Sequence, residues 1–118
     1  MQAEIYVVST EINKLPLKQQ IKAKLELSRI SEHLICHFNG MTRFSGLKGD
    51  WANDKGGIDS DEVEIWRICS NKTDKACSEE IHLIEKLSKQ IRTITKQECQ
   101  FMTINRSVQP ISLFKHKW

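Results

Sequence analysis

The 118-residue sequence predicts one α+β domain, and two observations carry that prediction. Runs rich in β-branched and aromatic residues alternate with two long stretches of helical periodicity, so strands and helices interleave along the chain. The composition is that of a folded, water-facing protein, with 28% charged and 39% apolar residues and only two prolines. At this length a single core over residues 1–118 is expected.

The first run, "AEIYVVSTEI", reads as a strand over about residues 3 to 11. Pro16 then suits the first turn of a helix. From Leu17 the positions Leu17, Ile21, Leu25, Ser28, Ile30, Leu34 and Phe38 recur at spacings of three and four, which predicts an amphipathic helix ending near Asn39 and Gly40. "MTRFSGL" and "EVEIWRICS" read as the second and third strands. They form a hairpin around a long connection, "GLKGDWANDKGGIDSDEVEIW" in its full extent. A polar link from Asn71 to Ala76 leads to a second helix that opens at Ser78, Glu79 and Glu80. Its stripe is Ile81, Ile84, Leu87, Ile91 and Ile94. "ECQFMTIN" is the fourth strand, and residues 107–118 read as a C-terminal extension with a short extended stretch in "SVQPISLF".

The resulting order β-α-β-β-α-β is similar to the ferredoxin-like arrangement, a four-stranded antiparallel sheet with two helices on one face. Such a fold licenses no activity by itself. Ile5 and Val7 alternate with Tyr6 and Val8, and Phe101 with Met102, so both sheet faces carry apolar groups. The second face therefore needs a cover, which a partner subunit, a ligand or the C-terminal tail could supply, and a homodimer through that open face is the commonest way to provide it.

Several chemistries are disfavoured by the sequence. No apolar run reaches the roughly 18 residues of a membrane span, and the first residues lack the pattern of an export signal, so a cytoplasmic location is expected. Cys36, Cys69, Cys77 and Cys99 are widely spaced and read as reduced thiols, not a zinc site. His33 and His37 stand one helical turn apart but lack a third ligand, so no metal and no cofactor is expected. The glycine-rich connection has neither the Gly-Lys-Ser/Thr ending of a phosphate loop nor the oxygen spacing of a calcium loop. The net charge of +3 is spread along the chain, which disfavours nucleic acid as a partner.

The residues left for chemistry are few. Trp51 is a large aromatic in a polar stretch and needs a surface to cover. Glu62, Glu64 and Trp66 lie two apart on the third strand and share a face. Were that the open face, carboxylates would stand beside an indole in a groove suited to acid–base work, with Tyr6 and Glu98 reaching the same groove. Glu62, Glu64 and Glu98 are thus the candidate acids or bases, and Tyr6, Trp51, Trp66 and Gln97 the candidate ligand-binding residues. The enzyme reading requires at least one of these glutamates to be buried beside Trp51, Trp66 or Tyr6.

"EIYVVS" resembles the first strand of RNA-recognition motifs, in which the aromatic at the position of Tyr6 stacks on a base. The third strand lacks the matching Gly-Phe/Tyr-Gly-Phe-Val run and carries acids instead, so single-stranded RNA binding is a minor alternative. Residues from about 40 to 105 resemble a group of short bacterial proteins of unknown function through Gly49-Asp50-Trp51, Glu62 and Gln97-Glu98. That resemblance marks positions without supplying a reaction. The leading expectation is a small ligand-binding or protein-interaction module, and the alternative is an enzyme of the dimeric α/β-barrel type using the strand carboxylates.

Overall fold

A computed structural model describes residues 1–72 and 74–105, the last 32 of these without the side chain of residue 74, together with the backbone of residues 114–117. The element order is β1 (Gln2–Val8), α1 (Thr10–Asn13), α2 (Leu17–Phe38), β2 (Thr42–Ala52), β3 (Ile58–Cys69), α3 (Asp74–Thr95), β4 (Phe101–Asn105) and β5 (Phe114–Lys117). The strands form one antiparallel sheet in the order β2-β3-β1-β4-β5. Apart from β5, the extension expected over residues 107–118 lies outside the described residues.

The register assigns every strand residue to a face, because successive side chains alternate. Ala3, Ile5 and Val7 of β1 pair with Ile68, Trp66 and Glu64 of β3, and Ala3 and Ile5 also pair with Ile104 and Met102 of β4. This face packs under the two long helices. Leu27, Ile30, Leu34 and Phe38 of α2 and Ile84, Leu87 and Ile91 of α3 join it in one buried cluster. The opposite face, carrying Tyr6, Val8, Ile65, Arg67 and Phe101, has no helix over it.

The helical period of α3 predicts its core stripe correctly, with Ile81 and Ile94 partly buried at the margins. In α2 only the C-terminal half of the predicted stripe is core. Leu17, Ile21 and Leu25 are 72%, 52% and 55% exposed, and Ala23 and Leu27 take the inward positions instead. The apolar residues of the first three turns form a second ridge, rotated away from the sheet. Asn39 closes α2 in the left-handed conformation at φ 62°, a cap that Asn tolerates better than other non-glycine residues.

Several boundaries differ from the sequence reading, two of them for a local reason. β1 ends at Val8 and the chain turns through α1, because Ser9 N–H donates to the Glu62 carbonyl (3.0 Å) and Thr10 Oγ1 accepts from Glu62 N–H (2.9 Å). The long connection between β2 and β3 is mostly strand. Pairing continues to Ala52 and Ile58, with a register shift between Phe44 and Leu47, leaving a turn of Asn53–Gly57. Asn53 Oδ1 accepts the N–H groups of Lys55 and Gly57, and Gly56 supplies φ 78°. Finally, α3 begins at Asp74 and not at Ser78.

Candidate functional site

The predicted groove is divided by the sheet into two clefts. Glu62, Glu64 and Trp66 lie on the helix-side face, whereas Tyr6, Trp51, Gln97 and Glu98 border the open face. Tyr6 pairs with Ile65, not with Glu64 or Trp66, so the expected meeting of Tyr6 with those two residues does not occur. Gln97 and Glu98 belong to the connection before β4 and not to the strand itself. The cause is Gln100: buried, it donates from its side-chain amide to the Tyr6 carbonyl, so a side chain satisfies a carbonyl beyond the last β1–β4 pair, Ile5 with Met102.

The helix-side cleft has a volume of about 430 Å³ and lies between α2 and the β2–β3 ribbon. Val7, Leu27 and Trp66 give it an apolar floor. Glu64 stands beside that floor with its side chain 34% exposed and Arg43 Nε 3.8 Å from Oε1. The indole N–H of Trp66 donates to the same oxygen, and Ser45 Oγ donates to Oε2 at 3.2 Å. Trp66 is itself 4% exposed, so the carboxylate is anchored to a side chain that cannot move without opening the core. The Arg43 guanidinium also lies 5.4 Å from the centre of the Trp66 ring, within cation–π reach.

Glu62 is held differently. It is exposed, and Asn13 Nδ2 donates to its Oε2 at 2.6 Å. Together with Lys24, which lines the α2 side, these residues give the cleft two carboxylates and two cations around an apolar floor. Arg43, Ser45, Asn13 and Lys24 are absent from the sequence-based candidates. Arg43 meets Trp66 only through the β2–β3 register, and Ser45 reaches Glu64 at the irregularity in that ladder. The sequence carries no signal for either.

The open-face cleft is larger, about 740 Å³, and runs from α1 to the hairpin turn. Its wall is Trp51 stacked on Phe101, with ring centroids 5.2 Å apart and planes 12° from parallel. Trp51 thus covers β4 across the open face, which identifies the surface that the lone indole needs. Gly49 makes this possible: a Cβ there would lie 2.9 Å from Cζ2 of Trp51. The Gly-x-Trp spacing therefore has a physical reason, because Gly49 and Trp51 point to the same face and the indole folds back over the glycine. The buried indole nitrogen of Trp51 has no hydrogen-bond partner among the described residues.

Elsewhere, His33 and His37 are both exposed. His37 Nε2 lies 3.6 Å from Oε2 of the buried Glu80, whose other oxygen accepts Ser70 Oγ at 2.6 Å. Among the described residues no group of three or more metal-ligating side chains forms, and no helix is long and apolar enough to cross a membrane.

No protein-family model and no curated protein matches the sequence. Among solved structures the chain is similar to a phage SAM lyase in its apo state, with a TM-score of 0.65 and 12% identity over 99% of this chain and 88% of that one. It is also similar to a phage SAM lyase in complex with S-methyl-5′-thioadenosine, with a TM-score of 0.60 and 15% identity over the same shares. At these identities the likeness is one of fold alone.

Proposed function

We propose that this chain is a small-molecule-binding protein and that the helix-side cleft at Glu64 takes a cationic adenosyl sulfonium compound of the S-adenosylmethionine class. The observation that carries the reading is Glu64 itself, a carboxylate fixed by the Trp66 indole beside an apolar floor. A sulfonium is a diffuse cation with apolar substituents, so it favours a negative charge next to an aromatic wall over water. Lys24 is placed to meet the carboxylate of an amino-acid moiety and Glu62 its ammonium group, and the sulfonium takes the place at Glu64 that Arg43 holds at 3.8 Å, which frees Arg43 to turn to the same ligand carboxylate. The fold likeness to phage SAM lyases adds weight, since it spans 99% of the chain.

An enzyme reading rests on Glu64 alone: it stands beside Trp66, held by the indole N–H, but is only partly buried, with its side chain 34% exposed, while Glu62 and Glu98 are exposed. In S-methyl-5′-thioadenosine the sulfur keeps its methyl and 5′-adenosyl carbons. Forming it from S-adenosylmethionine breaks the third carbon–sulfur bond, with the bond pair going to sulfur to give a neutral thioether, while the freed γ-carbon bonds to an oxygen of the amino acid's own carboxylate and closes a lactone, so that no co-reactant is needed. A carboxylate held in place on a rigid element would orient the departing sulfur with little reorganisation.

Calorimetric titration with S-adenosylmethionine and with S-methyl-5′-thioadenosine tests binding, and chromatography of the incubation mixture tests turnover. Saturable binding that falls on the order of 100-fold in Glu64→Gln supports the site. Absence of binding by either compound at millimolar concentration would reject it; binding without thioether release would leave a binding protein and remove the enzyme.

The order β2-β3-β1-β4 with α2 and α3 on one face is the arrangement we read as ferredoxin-like, in one domain over residues 1–118 with 107–118 as an extension. Cytoplasmic residence and a homodimer through the open face belong to the same proposal, the two copies meeting at the end of that face carrying Phe44, Ile65 and Arg67 and leaving the Trp51–Phe101 cleft uncovered. Phe44, 37% exposed, is a large apolar residue on that face, with its ring 4.7 Å from the Arg67 guanidinium.

A further inference from the structure

We propose that the open-face cleft is a second, separate site that docks a basic peptide segment of a partner protein, with an arginine side chain laid against the Trp51–Phe101 wall. The sheet itself separates it from the Glu64 cleft, since Tyr6 and Val8 project to the open face while Val7 and Glu64 project to the other.

Three features define the occupant. The first is charge. The cleft is lined by five carboxylates, those of Glu11, Asp54, Asp59, Asp61 and Glu98, against Lys14 and Lys96. Lys14 is already paired with Glu11 at 3.2 Å, which leaves four carboxylates against Lys96. The chain as a whole is +3, so a negative cleft here is local and does not follow from net composition. The second is the juxtaposition of acids with an aromatic face. Asp59 pairs directly with Trp51, and Asp61 with Gly49, which puts both aspartates on the open face beside the stacked indole. A planar guanidinium satisfies both surfaces at once, through charge-assisted hydrogen bonds to carboxylate and stacking on the ring. The third is shape. Asp54, Asp59 and Glu98 are exposed and line one cleft of about 740 Å³ that extends from α1 to the hairpin turn, a form that accommodates an extended chain better than it encloses a single small cation.

Calorimetric titration of the intact protein with a tetra-arginine peptide tests this, with tetra-lysine, tetra-glutamate and free arginine as comparison ligands. One tetra-arginine should bind per chain with micromolar affinity at low salt, more tightly than tetra-lysine, and weaken steeply as salt is raised. The D59N/D61N double variant should weaken it about 10-fold, while circular dichroism shows the fold retained. A W51L variant, which keeps every carboxylate, should remove the preference for arginine over lysine. Equal affinity in wild type and D59N/D61N, no binding at low salt, or free arginine binding as tightly as the peptide would each overturn the assignment. Neither variant touches Glu64, so these results stand whatever becomes of the sulfonium site.

Discussion

The two faces of the sheet use the same residue types, carboxylates beside aromatic rings, in opposite ways. On the helix side Trp66 is core: it is 4% exposed, packs under the helices and holds Glu64 through its N–H. On the open side Trp51 is a wall: it lies over Gly49 and Phe101, with aspartates from the neighbouring strand on its own face. A carboxylate tied to a core ring is fixed in direction by that ring, whereas the carboxylates around the partly buried Trp51 are exposed or held only by other surface side chains, as Asp59 is by Asn53 Nδ2 at 3.2 Å. The first suits orientation of one small ligand, and the second suits attraction of a mobile chain.

Four substitutions test that contrast, taken in decreasing order of their cost to stability. Trp66→Ala removes a buried indole from the core cluster and should cost about 3–5 kcal/mol, read as a lowered denaturant midpoint. If it costs no more than the corresponding change at Trp51, the helix-side ring is not core and the contrast collapses. Glu80→Ala is next. It leaves Ser70 Oγ and His37 without a buried partner and should cost about 1–3 kcal/mol by chemical denaturation, although it touches neither cleft and should leave ligand titrations unchanged.

Gly49→Ala tests the open face. The new methyl meets Trp51 at 2.9 Å, so the indole must swing off Phe101 at a cost of about 1–2 kcal/mol. The same variant should shift Trp51 fluorescence and weaken tetra-arginine, with S-adenosylmethionine binding untouched. Smallest of all is Ile21→Ser on the outer ridge of α2. Ile21 is 52% exposed, so the change should move stability by under about 0.5 kcal/mol in the isolated chain. A larger loss that depends on protein concentration would mean that this ridge, and not the open sheet face, is where two copies meet.

Much of the fold was legible because it rests on periodicity. The stripe Ile84, Leu87, Ile91 in α3 and the alternation Ile5, Val7 in β1 are local patterns with a single low-energy burial. Where two apolar stripes compete, periodicity alone does not choose. In α2 the ridge Leu17, Ile21, Leu25 has as good a helical spacing as Ala23, Leu27, Ile30, Leu34. Docking of the helix on the sheet made the second one core. The hairpin was misread in length for a related reason: glycines and aspartates mark turns in isolation, but cross-strand pairing from Leu47 to Ala52 overrides those preferences.

The candidate residues were legible as individuals and not as a constellation. Alternation along a strand already places Glu62, Glu64 and Trp66 on one face and Gly49 and Trp51 on one face of another, whatever the rest of the chain does. Which of those faces the helices cover is settled only when the elements pack. That choice puts Glu64 with Arg43 and Ser45 on one side, and Tyr6, Trp51, Gln97 and Glu98 on the other. The physical reason is that strand geometry fixes relative orientation within a few residues, whereas the choice of covered face depends on summing apolar contacts across α2, α3 and four strands at once.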